Sequence, residues 1–208
     1  MSLFPDSRAV VIGLPQSFDL LHELAHADTI RLGTAFAHQS GWEILAPAIS
    51  DSRAEVFLLT GTSLFQTEPK VLREWLRLSM SAKVKAKLYA KKRVTFHPKV
   101  LVVEGKTTFA IVGSGNLSRG GLCGNVECGV FVGEGLLLAE LLCWFDTVFS
   151  EAKPLRDAVV MDYERKWGLL RKLQKGLYVK EQNLEDEFET KTAAVMEGVL
   201  LGPATWDA

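Results

Sequence analysis

The order of apolar and polar positions along the chain predicts alternating strands and helices. Short apolar runs bounded by polar or turn residues are typical of buried strands, whereas apolar residues at every third or fourth position predict helices. The predicted strands are 30–36, 54–60, 84–89, 99–103, 109–113 and 128–132. The predicted helices are 41–49, 68–80 and 134–150. This alternation indicates an α/β fold, with a mixed β-sheet flanked by helices on both faces.

The chain changes character after Lys153-Pro154. Residues 157–192 are charged and helical in period, with fewer apolar positions, and the acidic stretch 181–189 is expected to be solvated. We therefore predict a catalytic domain over 1–155 and a helical C-terminal extension over 156–208.

Composition places the chain among globular proteins. It is 48% hydrophobic and 24% charged, and its net charge of -1 gives no argument for or against a nucleic acid partner. Three cysteines without a disulfide or metal spacing, and no leader-like N-terminus, favour a reduced cytoplasmic protein. The apolar run 135–145 is interrupted by Glu140 and is too short to span a bilayer, so we expect helix 134–150 to be largely buried and no membrane partner.

The segment 94–132 carries the candidate chemistry. His97 and Lys99 are two apart on a predicted strand and so share a face. A Gly-Ser-Gly-Asn turn at 113–116 follows the next strand, and Glu127 opens the one after. A nucleophile, a cation, polar anion donors and a carboxylate form a complete set for cleaving a phosphodiester without a metal.

These residues resemble the motif of the phospholipase D superfamily, in its nuclease-like branch with a single motif. The family pattern is His-x-Lys, four residues, Asp, then Gly-Ser-x-Asn and a later Glu. Here Glu104 stands in the place of the aspartate, which the resemblance does not implicate in substrate contact. The close match covers 94–132, and elsewhere only the alternation of elements agrees.

The resemblance implies a mechanism that needs no cofactor. His97 would attack phosphorus and form a phosphohistidine, while Glu127 would accept a hydrogen bond from the far ring nitrogen of that histidine. Gly115 would let the backbone approach the phosphate closely. Lys99, Ser114 and Asn116 would bind the non-bridging oxygens of the phosphate, where negative charge builds in the transition state. The implied catalytic residues are His97, Lys99, Ser114, Asn116 and Glu127.

A single motif has a consequence for assembly. One histidine cannot attack phosphorus and protonate the leaving oxygen at the same instant, and the chain shows no internal repeat. We therefore expect a two-fold homodimer that shares one active site. In the family, this domain also occurs in helicase and restriction systems, so by analogy the resemblance allows a helicase or restriction-system partner.

Basic residues around the motif allow two interpretations. Lys85 and Lys87 share one face of strand 84–89, and Arg93 and Arg119 flank the motif. The lysines fit a solvated edge strand protected from aggregation, and equally a rim that binds phosphates beside His97. Both interpretations stay open.

A second motif, at residues 22–26, suggests a different chemistry. His22-Glu23-Leu24-Ala25-His26 has the form H-E-x-x-H, which on a helix can bind zinc. Only 21 residues precede it, and no third ligand follows at a recognisable spacing. An amphipathic helix with its histidines toward solvent or an interface fits as well, so we predict no metal site.

The favoured function is a metal-independent phosphodiesterase acting on nucleic acid, with DNA preferred. That preference rests on the branch resemblance and the basic residues. Two alternatives remain open: a phospholipid phosphodiesterase, and a catalytically silent subunit that binds nucleic acid.

Overall fold

The computed structural model describes residues 1–4 and 8–173. Its first compact unit runs from Met1 to Glu164 and contains the sheet and the motif. A second unit begins at Arg165, and of it residues 165–173 are described, as helix.

Within the described residues, eight strands form one mixed sheet. The strands are β1 Val10–Ile12, β2 Thr29–Thr34, β3 Glu55–Gly61, β4 Val84–Tyr89, β5 Lys99–Glu104, β6 Phe109–Gly113, β7 Cys128–Val132 and β8 Lys153–Pro154. Their order is β1-β7-β6-β5-β2-β3-β4-β8. β2, β3 and β4 are parallel, as are β1 and β7, whereas β5 is antiparallel to β2 and β6, and β6 is antiparallel to β7.

Helices connect and cover these strands. They are α1 Leu20–Ala25, α2 Gln39–Asp51, α3 Pro69–Leu78, α4 Leu136–Glu151 and α5 over 157–173. Local sequence explains where two of these helices, α1 and α3, begin. The Asp19 side chain accepts hydrogen bonds from the first turn of α1, and α3 begins at Pro69, whose fixed φ suits the first helical position.

The two faces of the sheet are covered by different helices. Val100 and Val102 on β5 pack with Phe145 of α4 in one core cluster. Leu101 points to the opposite face, where it lines a small cavity with Leu20 of α1 and Leu45 of α2. This arrangement confirms the predicted α/β class, in which helices flank a mixed sheet on both faces.

An ion-pair network ties α4 to the sheet. Arg31 of β2 donates to Asp146 of α4 at 2.9 Å and to Glu104 at the end of β5. Glu104, the departure from the family aspartate, lies five residues along β5 from Lys99, roughly 16 Å at strand spacing. Its role here is therefore structural.

The expectation that α4 is largely buried is wrong. Leu138, Phe145 and Phe149 are buried, but Leu136, Leu137 and Trp144 are 77%, 58% and 38% exposed. A helix that lies on a sheet buries one side only, so the apolar residues on its other sides face solvent. Among the helices described, none has the length and hydropathy needed to cross a bilayer.

Part of the sheet on the α4 side carries apolar residues that stay exposed. Val10 and Ile12 of β1 share this face with Val130 of β7, because Ile12 is in register with Val130. Val130 is two residues from Val132, which packs against the α4 cluster, and residues two apart on a strand point to the same face. On this same face, α4 packs against β4 and β6, away from β1, which is the first strand in the sheet order. We call these three side chains, Val10, Ile12 and Val130, the open apolar face.

The first turns of α5 belong to the first unit. Val160 is buried, and the buried Tyr163 donates its hydroxyl hydrogen to the carbonyl of Thr67 at 2.9 Å. The predicted helix over 157–192 is therefore present as far as 173, and its remainder, with the acidic stretch 181–189, lies outside the described residues. The predicted domain boundary between 155 and 156 stays a prediction.

Candidate active site

Strand directions bring the motif residues to one edge of the sheet. Lys99 starts β5, the turn 114–116 follows the end of β6, and Glu127 precedes the start of β7. Because β6 is antiparallel to both of its neighbours, the end of β6 lies beside the start of β5 and the start of β7. Lys99 is also in register with Thr34, the last residue of β2. All five predicted catalytic residues therefore lie at this edge.

His97 and Lys99 are in direct contact. The Lys99 Nζ lies 2.8 Å from His97 Nδ1 and 3.0 Å from the His97 carbonyl oxygen. An ammonium group only donates, so this contact requires a ring nitrogen with a free lone pair. His97 itself is exposed, and its ring meets the edge of Phe36 with centroids 5.7 Å apart. The imidazole is thus open to a substrate on its outer side.

The environment of Lys99 changes its acidity. Burial lowers the pKa of the Lys99 ammonium, and the nearby Glu127 carboxylate opposes that shift by raising it. Burial thus disfavours the charged form of Lys99, and the carboxylate favours it.

Glu127 contacts Ser114 rather than His97. The Ser114 hydroxyl donates to Glu127 Oε2 and accepts the Cys128 N–H at 3.1 Å, while Asn125 Nδ2 donates to Glu127 Oε1 at 3.2 Å. The expected hydrogen bond from the His97 ring to Glu127 is not present in this structure. The reason is strand order: β6 separates β7 from β5, so the carboxylate meets the end of β6 first.

Asn116 is anchored to the N-terminal half of the chain. Its Oδ1 accepts the Phe36 N–H at 3.3 Å, and the next residue, Leu117, donates its N–H to Thr34 Oγ1 at 3.1 Å. With the amide oxygen engaged, the NH₂ group is the end that can donate to an anion.

Gly115 serves the packing of the turn. A Cβ at Gly115 would lie 2.3 Å from the carbonyl oxygen of Gly121, and a Cβ at Gly121 would lie 2.3 Å from the carbonyl oxygen of Asn116. The turn is therefore pressed against the helical turn Gly120–Gly124 by direct backbone contact. The predicted close approach of Gly115 to a phosphate stays a prediction.

A cavity of about 580 Å³ opens at this edge, a size typical of small-molecule sites. Catalytic candidates form one side, and apolar side chains form the other. Its lining is His97, Pro98, Lys99, Val100, Val112, Gly113, Ser114, Leu141 and Trp144. The sequence analysis missed Leu141 and Trp144 as site residues. The available signal was an apolar stripe on α4 that one sheet face could not bury entirely.

The two lysines proposed as a phosphate rim lie elsewhere. They belong to β4, which two strands separate from β5. Lys85 Nζ sits 4.9 Å from the Phe57 ring centroid, and Lys87 Nζ donates to the Phe149 carbonyl at 2.8 Å. The structure thus places both lysines against their own domain and apart from the motif.

The two arginines are close to the motif in sequence. Arg93 is exposed in the loop before His97, with a left-handed φ of 63°. Arg119 is exposed two residues after Leu117, and its N–H donates to Ser40 Oγ at 3.3 Å. Their predicted role in substrate binding stays a prediction.

The H-E-x-x-H histidines lie at the other end of the sheet. The His26 backbone is near Gly105, just past the end of β5, and α1 ends at Ala25. Both histidines are exposed, with ring centroids 4.3 Å apart, and His26 Nδ1 lies 2.9 Å from the His22 carbonyl oxygen. Within the described part of the chain, no three His, Cys, Asp or Glu side chains group as a metal site would require.

The fold and the motif together define the class as phospholipase D-like. The family model described as "Cardiolipin synthase, PLD-like domain" matches residues 20–149, more than half of the chain. The chain therefore belongs to the phospholipase D superfamily, whose members are phosphodiesterases.

Solved structures show the same fold at low identity. Nuc from Salmonella typhimurium, a phospholipase D family member, has a TM-score of 0.52 and 16% identity, over 66% of this chain and 88% of that one. NucT from Helicobacter pylori has a TM-score of 0.50 and 15% identity, over 65% and 87%. Phosphatidylserine synthase from Haemophilus influenzae has a TM-score of 0.55 and 14% identity, over 83% and 46%. The comparison with curated proteins gave no match.

Proposed function

We propose that this protein is a metal-independent nuclease that cleaves DNA through a phosphohistidine on a homodimer. The observation that carries the proposal is that His97, Lys99 and Ser114 line one open cavity, at the sheet edge where the Asn116 turn also lies. An exposed imidazole beside a lysine and amide and hydroxyl donors suits attack on an anionic phosphorus centre.

The reaction proceeds in two displacements. A ring nitrogen of His97 attacks phosphorus, a P–N bond forms, and the P–O bond to the leaving oxygen breaks. A general acid protonates that oxygen. Water then attacks phosphorus, gives its proton to the same group acting as base, and the P–N bond breaks. Lys99 and Asn116 donate to the non-bridging oxygens as charge builds on them.

Glu127 and Ser114 act as a unit in this proposal. Their hydrogen bond fixes the Ser114 hydroxyl at the cavity wall, and the carboxylate favours the charged form of Lys99. Phosphate binding would draw the hydroxyl toward a non-bridging oxygen and release Glu127. The freed carboxylate could then accept the ring N–H of His97, which is the contact expected from the family pattern.

A second copy of the chain supplies the general acid. Within the described residues the motif contains one histidine, His97, and the proposal assigns protonation of the leaving oxygen to the His97 of another copy. The open apolar face supports the dimer, because it leaves Val10, Ile12 and Val130 exposed on the side of the sheet that holds the cavity. A two-fold axis beside this face would bury it and bring the two sites together.

The dimer is tested by charge at the open apolar face. Ile12→Asp should give monomers in light scattering and lose cleavage, because a buried carboxylate opposes association. Met80→Asp is the matched control, since Met80 is an exposed apolar residue two positions after the end of α3. A wild-type monomer with full activity would contradict the proposal.

A phospholipid substrate is the second candidate. The matching family model carries the name of a lipid enzyme, and the cavity has an apolar side that could hold a lipid tail. Release of headgroup from phosphatidylglycerol vesicles, with no cleavage of DNA, would favour this candidate.

The first experiment compares cleavage of plasmid and single-stranded DNA in EDTA. Wild-type protein should cleave, and His97→Ala should not. The double variant His22→Ala, His26→Ala is the matched control, because it removes two exposed histidines far from the motif. A denaturing quench should trap labelled DNA on the protein through an acid-labile bond. Cleavage that EDTA or the control abolishes would overturn the metal-independent mechanism, and DNA binding without cleavage would favour a silent binding subunit.

A further inference from the structure

The cavity at the site has one wall that the proposed chemistry does not use. His97, Lys99 and Ser114 account for the polar side, where a phosphate would bind. Trp144 and Leu141 of α4 form part of the opposite side. A substrate that fills this cavity must therefore present an apolar group directly next to its phosphate.

Trp144 lies on an anchored part of α4, and its ring is accessible. Its neighbour Phe145 is fully buried and meets the Trp144 ring at 71°, with centroids 6.5 Å apart. The following residue, Asp146, binds Arg31 of β2. These contacts hold α4 in place immediately after Trp144, and the Phe145 ring lies against the indole, so Trp144 is partly ordered before a ligand binds.

We propose that Trp144 stacks on an unpaired base next to the scissile phosphate, so that the site takes single-stranded nucleic acid. This inference rests on the proposed nuclease function. Aromatic side chains bind bases of any sequence through their faces, and such stacking accounts for much of single-strand affinity. In a duplex, both faces of each base are covered by its neighbours, so a base reaches Trp144 only after it leaves the stack.

The loop that leads to His97 supports a polynucleotide. Lys92 and Arg93 are exposed there, ahead of the cavity, and can bind the phosphates of adjoining nucleotides. A lipid offers a single phosphodiester with tails, whereas a strand alternates bases and phosphates. The site offers an aromatic wall, a phosphate site and a basic loop, which suit the alternating bases and phosphates of a polynucleotide.

Binding is measured in EDTA with His97→Asn protein, which cannot cleave the probe. One probe is a short fluorescein-labelled thymidine oligonucleotide, and the other is a strand of equal length made of abasic sites. Trp144→Ala should weaken thymidine-strand binding about tenfold, within the 5- to 150-fold range expected for one stacked base. It should leave abasic-strand binding unchanged, because the phosphate contacts remain. Trp144→Phe, which keeps a ring, should restore most of the affinity.

Different outcomes separate the two proposals. Equal losses for both strands, or no loss for either, would overturn the stacking platform while leaving the nuclease intact if wild-type cleavage in EDTA still depends on His97. Dissociation of Trp144→Ala into monomers in light scattering would assign Trp144 to the dimer interface instead. Trp144-dependent binding to phosphatidylglycerol vesicles, without affinity for the thymidine strand, would also overturn it. Absence of cleavage by wild-type protein would count against the nuclease itself.

Discussion

Gly115→Ala should damage both stability and activity, because the turn has no room for one methyl group. The added Cβ would lie 2.3 Å from the Gly121 carbonyl oxygen, about 1 Å inside ordinary van der Waals contact. The carbonyl belongs to backbone that cannot rotate away, and Gly121 is itself pressed against Asn116. Relief therefore requires the turn to move as a body.

The expected magnitudes follow from that displacement. Overpacking of this kind costs about 1–3 kcal/mol of unfolding free energy. A shift of about 1 Å in Ser114 and Asn116 costs about 100-fold in rate. Urea unfolding measures the first quantity, and kcat/KM on single-stranded DNA in EDTA measures the second.

Gly124→Ala is the matched control for this experiment. Gly124 lies at the end of the same helical turn, but a Cβ there would meet only the Arg119 carbonyl oxygen, at 3.9 Å. This variant should stay within about 0.5 kcal/mol of wild type and keep its rate. Gly115→Ala with wild-type stability and rate would refute the argument from backbone contact.

Three further predictions concern the charge of Lys99, its carboxylate neighbour and the core. Because burial lowers the pKa of Lys99, kcat/KM should fall as pH rises through a pKa below the usual lysine range; Lys99→Arg, always charged, should lose this alkaline limb, and an unchanged limb would contradict the assignment. Glu127 raises that pKa, so Glu127→Gln should move the limb to lower pH, and a move to higher pH would show that the carboxylate does not favour the lysine charge. Phe145→Ala should cost about 3–5 kcal/mol in urea unfolding, because its ring is fully buried; the control Leu136→Ala, exposed on the same helix, should cost less than about 0.5 kcal/mol, and equal losses would contradict the packing described.

The sequence predicted elements well where the pattern was local. Strands 84–89, 109–113 and 128–132 were placed at their observed bounds, because apolar runs between turn residues need no information from elsewhere. β1, with three residues, and β8, with two, were missed since such short strands exist only through pairing with their neighbours. The order of the strands was beyond reach for the same reason.

The candidate site shows the same division. His97 and Lys99 were found from their spacing, and the structure places them in contact. The contact between Glu127 and His97 stays a prediction: in this structure Glu127 accepts the Ser114 hydroxyl, because β6 lies between β7 and β5. Trp144 was missed because nothing in its local sequence distinguishes a helix side that faces a cavity from one that faces the core.

The hydrogen bonds that join the 116–117 turn to residues 34 and 36 connect positions about 80 apart in the chain. A peptide spanning 94–132 would contain every motif residue and still lack the partners that aim Asn116. The catalytic geometry should therefore arise late in folding, after β2 has paired with β5, and should be among the first features lost when the N-terminal half loosens. Chemistry encoded within a few dozen residues is, in this protein, a property of the whole sheet.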